Sequence, residues 1–157
     1  MPRKRLSRRL NTNVLVVALV LTAVDAVTKA WARSQLVAHS IHVGGPFWFR
    51  LQYNSGISFS LSQSKSTITS VVTALIVLGV LAASLLARPG ISTAGFGLLL
   101  GGGVGNIVDR LMATPHEVTD FISVGSFPIF NVADASITVG FIVLLIATIR
   151  GEKLLNR

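Results

Sequence analysis

Residues 91–111 read ISTAGFGLLLGGGVGNIVDRL, and this stretch decides what kind of protein the chain encodes. A helix of about 20 mostly apolar residues is long enough to cross a bilayer. Here no charge interrupts the run until Asp109 and Arg110 at its end. Gly97, Gly101 and Gly105 recur every four residues, so they line one helical face and admit a neighbouring helix at close range. Gly102 and Gly103 thin the helix further, and the whole could leave a lateral opening. The next step in the glycine register is Asp109, with Asn106 and Arg110 as an i, i+4 pair beside it. The glycines by themselves mean tight packing. The three polar residues bring hydrogen-bonding groups to one end of the helix, where they would buttress a site or meet lipid head groups.

Three further stretches carry the same signature: about Asn13 to Ala32, about Thr67 to Ala87, and about Val132 to Ile149, with Arg88-Pro89-Gly90 as a sharp break before the quoted segment. The expected fold is therefore a mainly α, single-domain membrane protein with four transmembrane helices. Composition agrees: 51% of 157 residues are hydrophobic, only 13% are charged, and mean hydropathy is +0.69. The net charge of +8 does not signal nucleic acid, because no basic stripe interleaved with aromatics exists. Arg3, Lys4, Arg5, Arg8 and Arg9 instead crowd the start, directly before an apolar run. With Arg88, Arg150, Lys153 and Arg157 they put nine of the 14 basic residues on one side, which sets both termini in the cytoplasm. Ala30-Trp31-Ala32 has the form of a signal-peptide cleavage site, but Asp25 and Lys29 interrupt the approach to it, so the first span is expected to be retained. The absence of cysteine excludes disulfides, thiol catalysis and thiolate metal sites.

Two segments then face outward, roughly 34–66 and 112–131. Residues 46–61 (PFWFRLQYNSGISFSL) mix aromatic and branched residues in partial alternation, with Asn54 and Gly56 as a turn signal, and predict a small extracytoplasmic β-element. Phe47, Trp48 and Phe49 suit the membrane interface.

The four aspartates, Asp25, Asp109, Asp120 and Asp134, all lie in or beside apolar runs on this outer side. A charge at the bilayer centre costs about 2.5–3.5 kcal/mol on insertion scales, so such residues mark function by default. Asp25 and Lys29, four apart on one face, form an ion pair that either anchors helices or supports a site. Asn131 is placed to cap the fourth helix, which puts Asp134 at its third position, where the helix dipole favours an anion. Taken singly, Asp134 is an ordinary helix-start carboxylate and Asp120 a loop aspartate in a turn. They are 14 positions apart across one short loop, however, at the same expected depth, and so can meet. His39, His42 and His116 lack metal-ligand spacing, and nothing around Lys65, Ser62 and Ser64 points to a Ser–Lys dyad. Paired carboxylates are the chemistry that placement and elimination leave. A small ion or proton transporter subunit, with Asp25–Lys29 and Asp109–Arg110 lining a path, and a lipid-binding scaffold are the alternatives. A transporter expects polar groups through the membrane thickness, whereas these gather near one face.

Five stretches in order carry a resemblance: Asp25-x-x-Thr28-Lys29; Asn54-x-Gly56-x-x-Phe59; Gly102-Gly103-x-Gly105-Asn106-x-x-Asp109-Arg110; Val118-x-Asp120-Phe121-Ile122; and Phe130-Asn131-x-Ala133-Asp134. From about residue 25 to 140 the chain resembles the lipoprotein signal peptidases, the type II signal peptidases of bacteria. The resemblance implies an intramembrane aspartyl endopeptidase acting on lipid-modified prolipoproteins, on the N-terminal side of the lipidated cysteine, with Asp120 and Asp134 as the catalytic pair. It further implies that Asn54, Gly56, Asn106, Arg110, Asn131 and Ala133 line the site or contact substrate, with Asp25, Lys29 and Asp109 in support. No metal or cofactor is implied. A monomer in the bacterial cytoplasmic (inner) membrane, contacting membrane lipids and working near the extracytoplasmic face, is expected. Ile57 and Ser58, where relatives often carry alanine, and a short Ser123–Ser126 stretch depart from the pattern and bear on the rim of the pocket.

Overall fold

The computed structural model describes residues 11–55, 63–112 and 117–156. Gly56, Ile57, Ser58, Phe59, Ser62 and His116, and the basic residues Arg3 to Arg9, lie outside the described residues, as do the side chains of Ser64 and Lys65. The elements run α1 (Asn13–Gln35), β1 (Ile41–Gly44), β2 (Phe47–Asn54), α2 (Gln63–Leu85), α3 (Ile91–Met112), β3 (Val118–Val124) and α4 (Val132–Ile149). α1, α3 and α4 are long and apolar enough to cross a membrane, and the fully described part of α2 contains the apolar stretch Val71–Leu85.

α3 is the central helix, and its glycines explain why. Its small positions accept three neighbouring helices. A Cβ on Gly101 would sit 2.8 Å from the Ala18 carbonyl oxygen of α1, and one on Gly97 2.5 Å from Val17. Gly102 faces the Ala133 carbonyl oxygen of α4 at 2.5 Å, and Gly103 faces Val77 of α2 at 2.5 Å. The glycine stripe is thus filled by α1 rather than leaving a lateral opening. Val14, Ala18, Phe96, Leu100 and Leu144 form the core between these helices. Large apolar side chains elsewhere point outward, Leu19 being 72% exposed, as helices surrounded by hydrocarbon require.

The β-element is larger than expected. β1, β2 and β3 form one antiparallel sheet in that order, so the second outer segment supplies the third strand. The hairpin turns at Gly44 and Gly45, where φ of 140° and 54° suits residues without a Cβ. Asn54 is the last residue of β2, and the Gly56 of the expected turn lies outside the described residues. Asp120 lies in β3, so the loop-turn reading of that residue fails. Phe47 is exposed, and Trp48 is held between the His42 ring at 4.2 Å and the Arg50 guanidinium at 4.6 Å. Phe49 turns inward, edge-on to Trp31 of α1 at 5.3 Å, and with Phe121, Ala32 and Leu36 fastens the sheet to the end of α1.

Candidate active site

The site grows from the start of α4. Asn131, fully buried, accepts at Oδ1 from the Asp134 backbone N–H (2.8 Å) and donates its own N–H to Asp134 Oδ2 (3.2 Å). This reciprocal capping box is the cap expected from sequence and fixes Asp134 at the positive end of the helix. Because a backbone N–H only donates, the Asn131 Oδ1 must face it, and the amide NH₂ must face away. That NH₂ donates to Asp120 Oδ1 at 2.6 Å and to Asn106 Oδ1 at 3.2 Å. The two carboxylates therefore meet at one residue. They are joined through Asn131 rather than by a bond to each other among the described residues.

Strand pairing delivers the other side. β2 lies against β3, and Asn54 reaches across to donate from Nδ2 to Asp120 Oδ2 at 2.9 Å. Asp120 is 1% exposed, whereas Asp134 is half-buried. Burial pushes the Asp120 carboxyl up to about 6, and the nearby Asp134 charge adds to this; the amides of Asn54 and Asn131 and the Lys29 ammonium oppose it.

Behind the pair stands a layer of charge. Asn106 donates from Nδ2 to Asp134 Oδ1 (2.8 Å) and accepts at Oδ1 from Lys29 Nζ (2.9 Å). Lys29, fully buried, pairs with Asp25 at 2.7 Å and lies 3.8 Å from Asp109. Asp25 in turn accepts from the Ala133 N–H at 2.9 Å, so the ion pair ties α1 to the first turn of α4. A Cβ on Gly105 would stand 2.7 Å from Asp25 Oδ2, so a larger residue there would have to displace that carboxylate. Arg110 is buried, its guanidinium interacting with the charges of Asp120, Asp134 and Asp109. A cavity of about 430 Å³ between α1 and α3 reaches Asp25, Lys29 and Asp109 from the opposite side.

The sequence places Asn106 and Arg110 as an i, i+4 pair along α3, and only the transporter alternative has Asp109 and Arg110 line a path. Asn106 instead spends its amide on Lys29, Asn131 and Asp134. The ion pairs of Asp109 run to Arg33 (2.6 Å) and Lys29. Arg33 and Thr119 were not singled out from sequence. Arg33 donates to Thr119 Oγ1 at 2.9 Å, and the Thr119 N–H donates to Asp109 Oδ2 at 2.6 Å. The i, i+4 spacing of Asp25, Lys29 and Arg33 was the available signal.

The fold and site define a multi-pass membrane protein whose buried polar groups converge on two carboxylates. Comparison narrows this. Residues 17–150 match the model of the family described as signal peptidase (SPase) II. The chain is similar to the lipoprotein signal peptidase of Rhodococcus jostii, at 36% identity over 88% of this chain and 73% of that one. It is likewise similar to that of Gloeobacter violaceus, at 40% identity over 87% and 81%. Two solved structures of bacterial membrane enzymes share the fold with a TM-score of 0.77 each. One is 26% identical over 91% of both chains; the other is 25% identical over 90% of this chain and 96% of its own. The chain belongs to the signal peptidase II family, and it is an aspartic peptidase.

Proposed function

We propose that Asp120 and Asp134 are the catalytic pair that removes the signal peptide from lipid-modified prolipoproteins. Family membership carries the reaction class. The observation that supports the residues is their meeting at Asn131, one from a strand and one from a helix N-terminus. Two carboxylates in one site hold one proton between them. Asp134, at the helix start and half-buried, is the base that takes a proton from water as its oxygen attacks the scissile carbonyl. Asp120, buried and holding its proton up to about pH 6, donates to the carbonyl oxygen; collapse then breaks the C–N bond, the departing amine taking the proton now on Asp134 while the hydroxyl returns one to Asp120. Asn54, Asn106, Asn131, Arg110 and the Ala133 backbone shape the site; Gly56 shares that role by resemblance alone.

The substrate is read as a diacylglyceryl-modified precursor cut before its lipidated cysteine, acyl chains staying in the bilayer while the bond meets the dyad beneath the sheet. Both termini are cytoplasmic, and the site faces the extracytoplasmic side of the inner membrane. The enzyme is read as acting as a monomer among membrane lipids. Ion transport is not favoured, because the polar groups gather at the sheet end of the bundle. The test is cleavage of a diacylglyceryl-modified precursor in vitro, with the unmodified precursor as control. Asp120→Asn and Asp134→Asn should each lower the rate by about 10³-fold or more. Turnover surviving in both variants refutes the dyad.

A further inference from the structure

Lys29 touches neither dyad carboxylate in a hydrogen bond, yet it is the most deeply buried cation described and its placement is specific. The reason lies in the direction of an amide. Asn106 stands between Lys29 and Asp134 and can present either its oxygen or its NH₂ to each. An ammonium has donors and no acceptor, so whatever faces Lys29 Nζ at 2.9 Å must be the amide oxygen. The NH₂ is then turned onto Asp134 Oδ1 at 2.8 Å. The weaker contact from Asn131 Nδ2 to the same Asn106 oxygen, 3.2 Å, acts in the same sense.

We propose that Lys29 is a positioning residue of the dyad: by holding the Asn106 oxygen it aims that amide's NH₂ at Asp134 and so keeps the shared proton on Asp120. The inference rests on the dyad reading above. With the capping N–H of Asn131, both oxygens of Asp134 meet donors of fixed orientation. Asp120 also receives two amides, from Asn54 and Asn131, but its burial outweighs them.

The charged groups facing Asp134 are Lys29 with Asp25 on α1, Asp109 and Arg110 on α3, and Asp120 on β3, among the described residues. Arg110 does not create the asymmetry, since its charge bears on Asp120 first and on Asp134 and Asp109 after it. Lys29 acts through space on Asp120 as well, but as the least of the influences there. Its hydrogen-bonded route runs to Asp134.

Asp25→Asn with Lys29→Met is the variant of choice, because it removes the ion pair without stranding a buried charge and keeps an oxygen for the Ala133 N–H. In the one-proton mechanism the acidic limb of the kcat/KM profile is protonation of the anionic member and the alkaline limb is loss of the shared proton. The double variant should move the acidic limb upward by about one pH unit, more than it moves the alkaline limb. In an Asn106→Leu background the same change should move the limb no further. A rate lowered equally at every pH, with both limbs unmoved, reduces Lys29 to a structural anchor and overturns the proposal. A second readout does not depend on that variant folding. In protein with isotope-labelled aspartate, the infrared band of the protonated acid between the two limbs should vanish in Asp120→Asn and persist in Asp134→Asn. The reverse overturns the proposal. Cleavage that survives loss of either aspartate sinks the dyad itself, whereas unmoved limbs in a dyad-dependent enzyme sink only the role of Lys29.

Discussion

Asn54 tests the electrostatics of the site from its exposed side. Its amide donates to Asp120 Oδ2 and favours the ionised carboxylate, opposing the burial that pushes this group up to about 6. Asp120 serves as the acid only while it keeps its proton, which it loses as pH rises through that value. Removing a donor to the anion holds the proton to higher pH. Asn54→Leu should therefore shift the alkaline limb of kcat/KM upward, by about half a pH unit if the bond contributes somewhat under its usual ~1 kcal/mol at this exposed position. A downward shift in the measured profile would show that Asn54 stabilises the neutral acid instead. That Asp120 and Asp134 could meet was legible from sequence because carboxylates beside apolar runs are costly and Asn131 sits three residues before Asp134. Arg33 and Thr119 were not, because their partner Asp109 comes from another helix and only folding brings them within 3 Å.

At the scale of elements, α3 joins three neighbours through side chains it lacks. A methyl group on Gly102 would collide with Ser136 Oγ and with the Ala133 carbonyl oxygen at 2.5 Å. The second is backbone, so α4 must move, and its first turn carries Asp134. Gly102→Ala should destabilise by about 1–3 kcal/mol, read as a lower Tm in detergent. A displacement of even 1 Å at the chemistry should slow cleavage by about 10²-fold. Gly79 on α2 has nothing within 4 Å of such a group, so Gly79→Ala serves as the matched control and should leave cleavage unchanged. Equal effects at the two positions would mean that helix propensity, not packing, decides. The close-packing register was readable from four-residue spacing. Which helix each glycine faces was not, since Gly101 and Gly102 are adjacent yet meet α1 and α4. The sheet was half legible for a similar reason: alternation marks a strand, but pairing β2 with β3 across two helices is non-local and leaves no trace in either segment.

At the scale of the molecule, the chain sorts its chemistry to one end and its termini to the other. The α2–α3 turn gathers both ends of the described chain: Arg88 N–H donates to the Leu154 carbonyl at 2.8 Å, Asn156 N–H to Leu86 at 2.7 Å, and Asn11 N–H to Leu85 at 3.2 Å. The sheet and the dyad lie where α1 ends and α4 begins. Such an arrangement fits an even number of crossings, with the basic residues Arg88, Arg150 and Lys153 at the terminal end, the retained side by the positive-inside rule. The proposed orientation has a direct test, because the chain has no cysteine of its own. Val43, exposed on β1, and Glu152, exposed in the tail, can each be replaced by Cys in otherwise native protein. In intact spheroplasts a membrane-impermeant maleimide should label the Val43→Cys protein and spare the Glu152→Cys protein until the membrane is opened. Labelling in the opposite order would place the dyad on the cytoplasmic face. Substrates anchored at the outer leaflet could not then reach it.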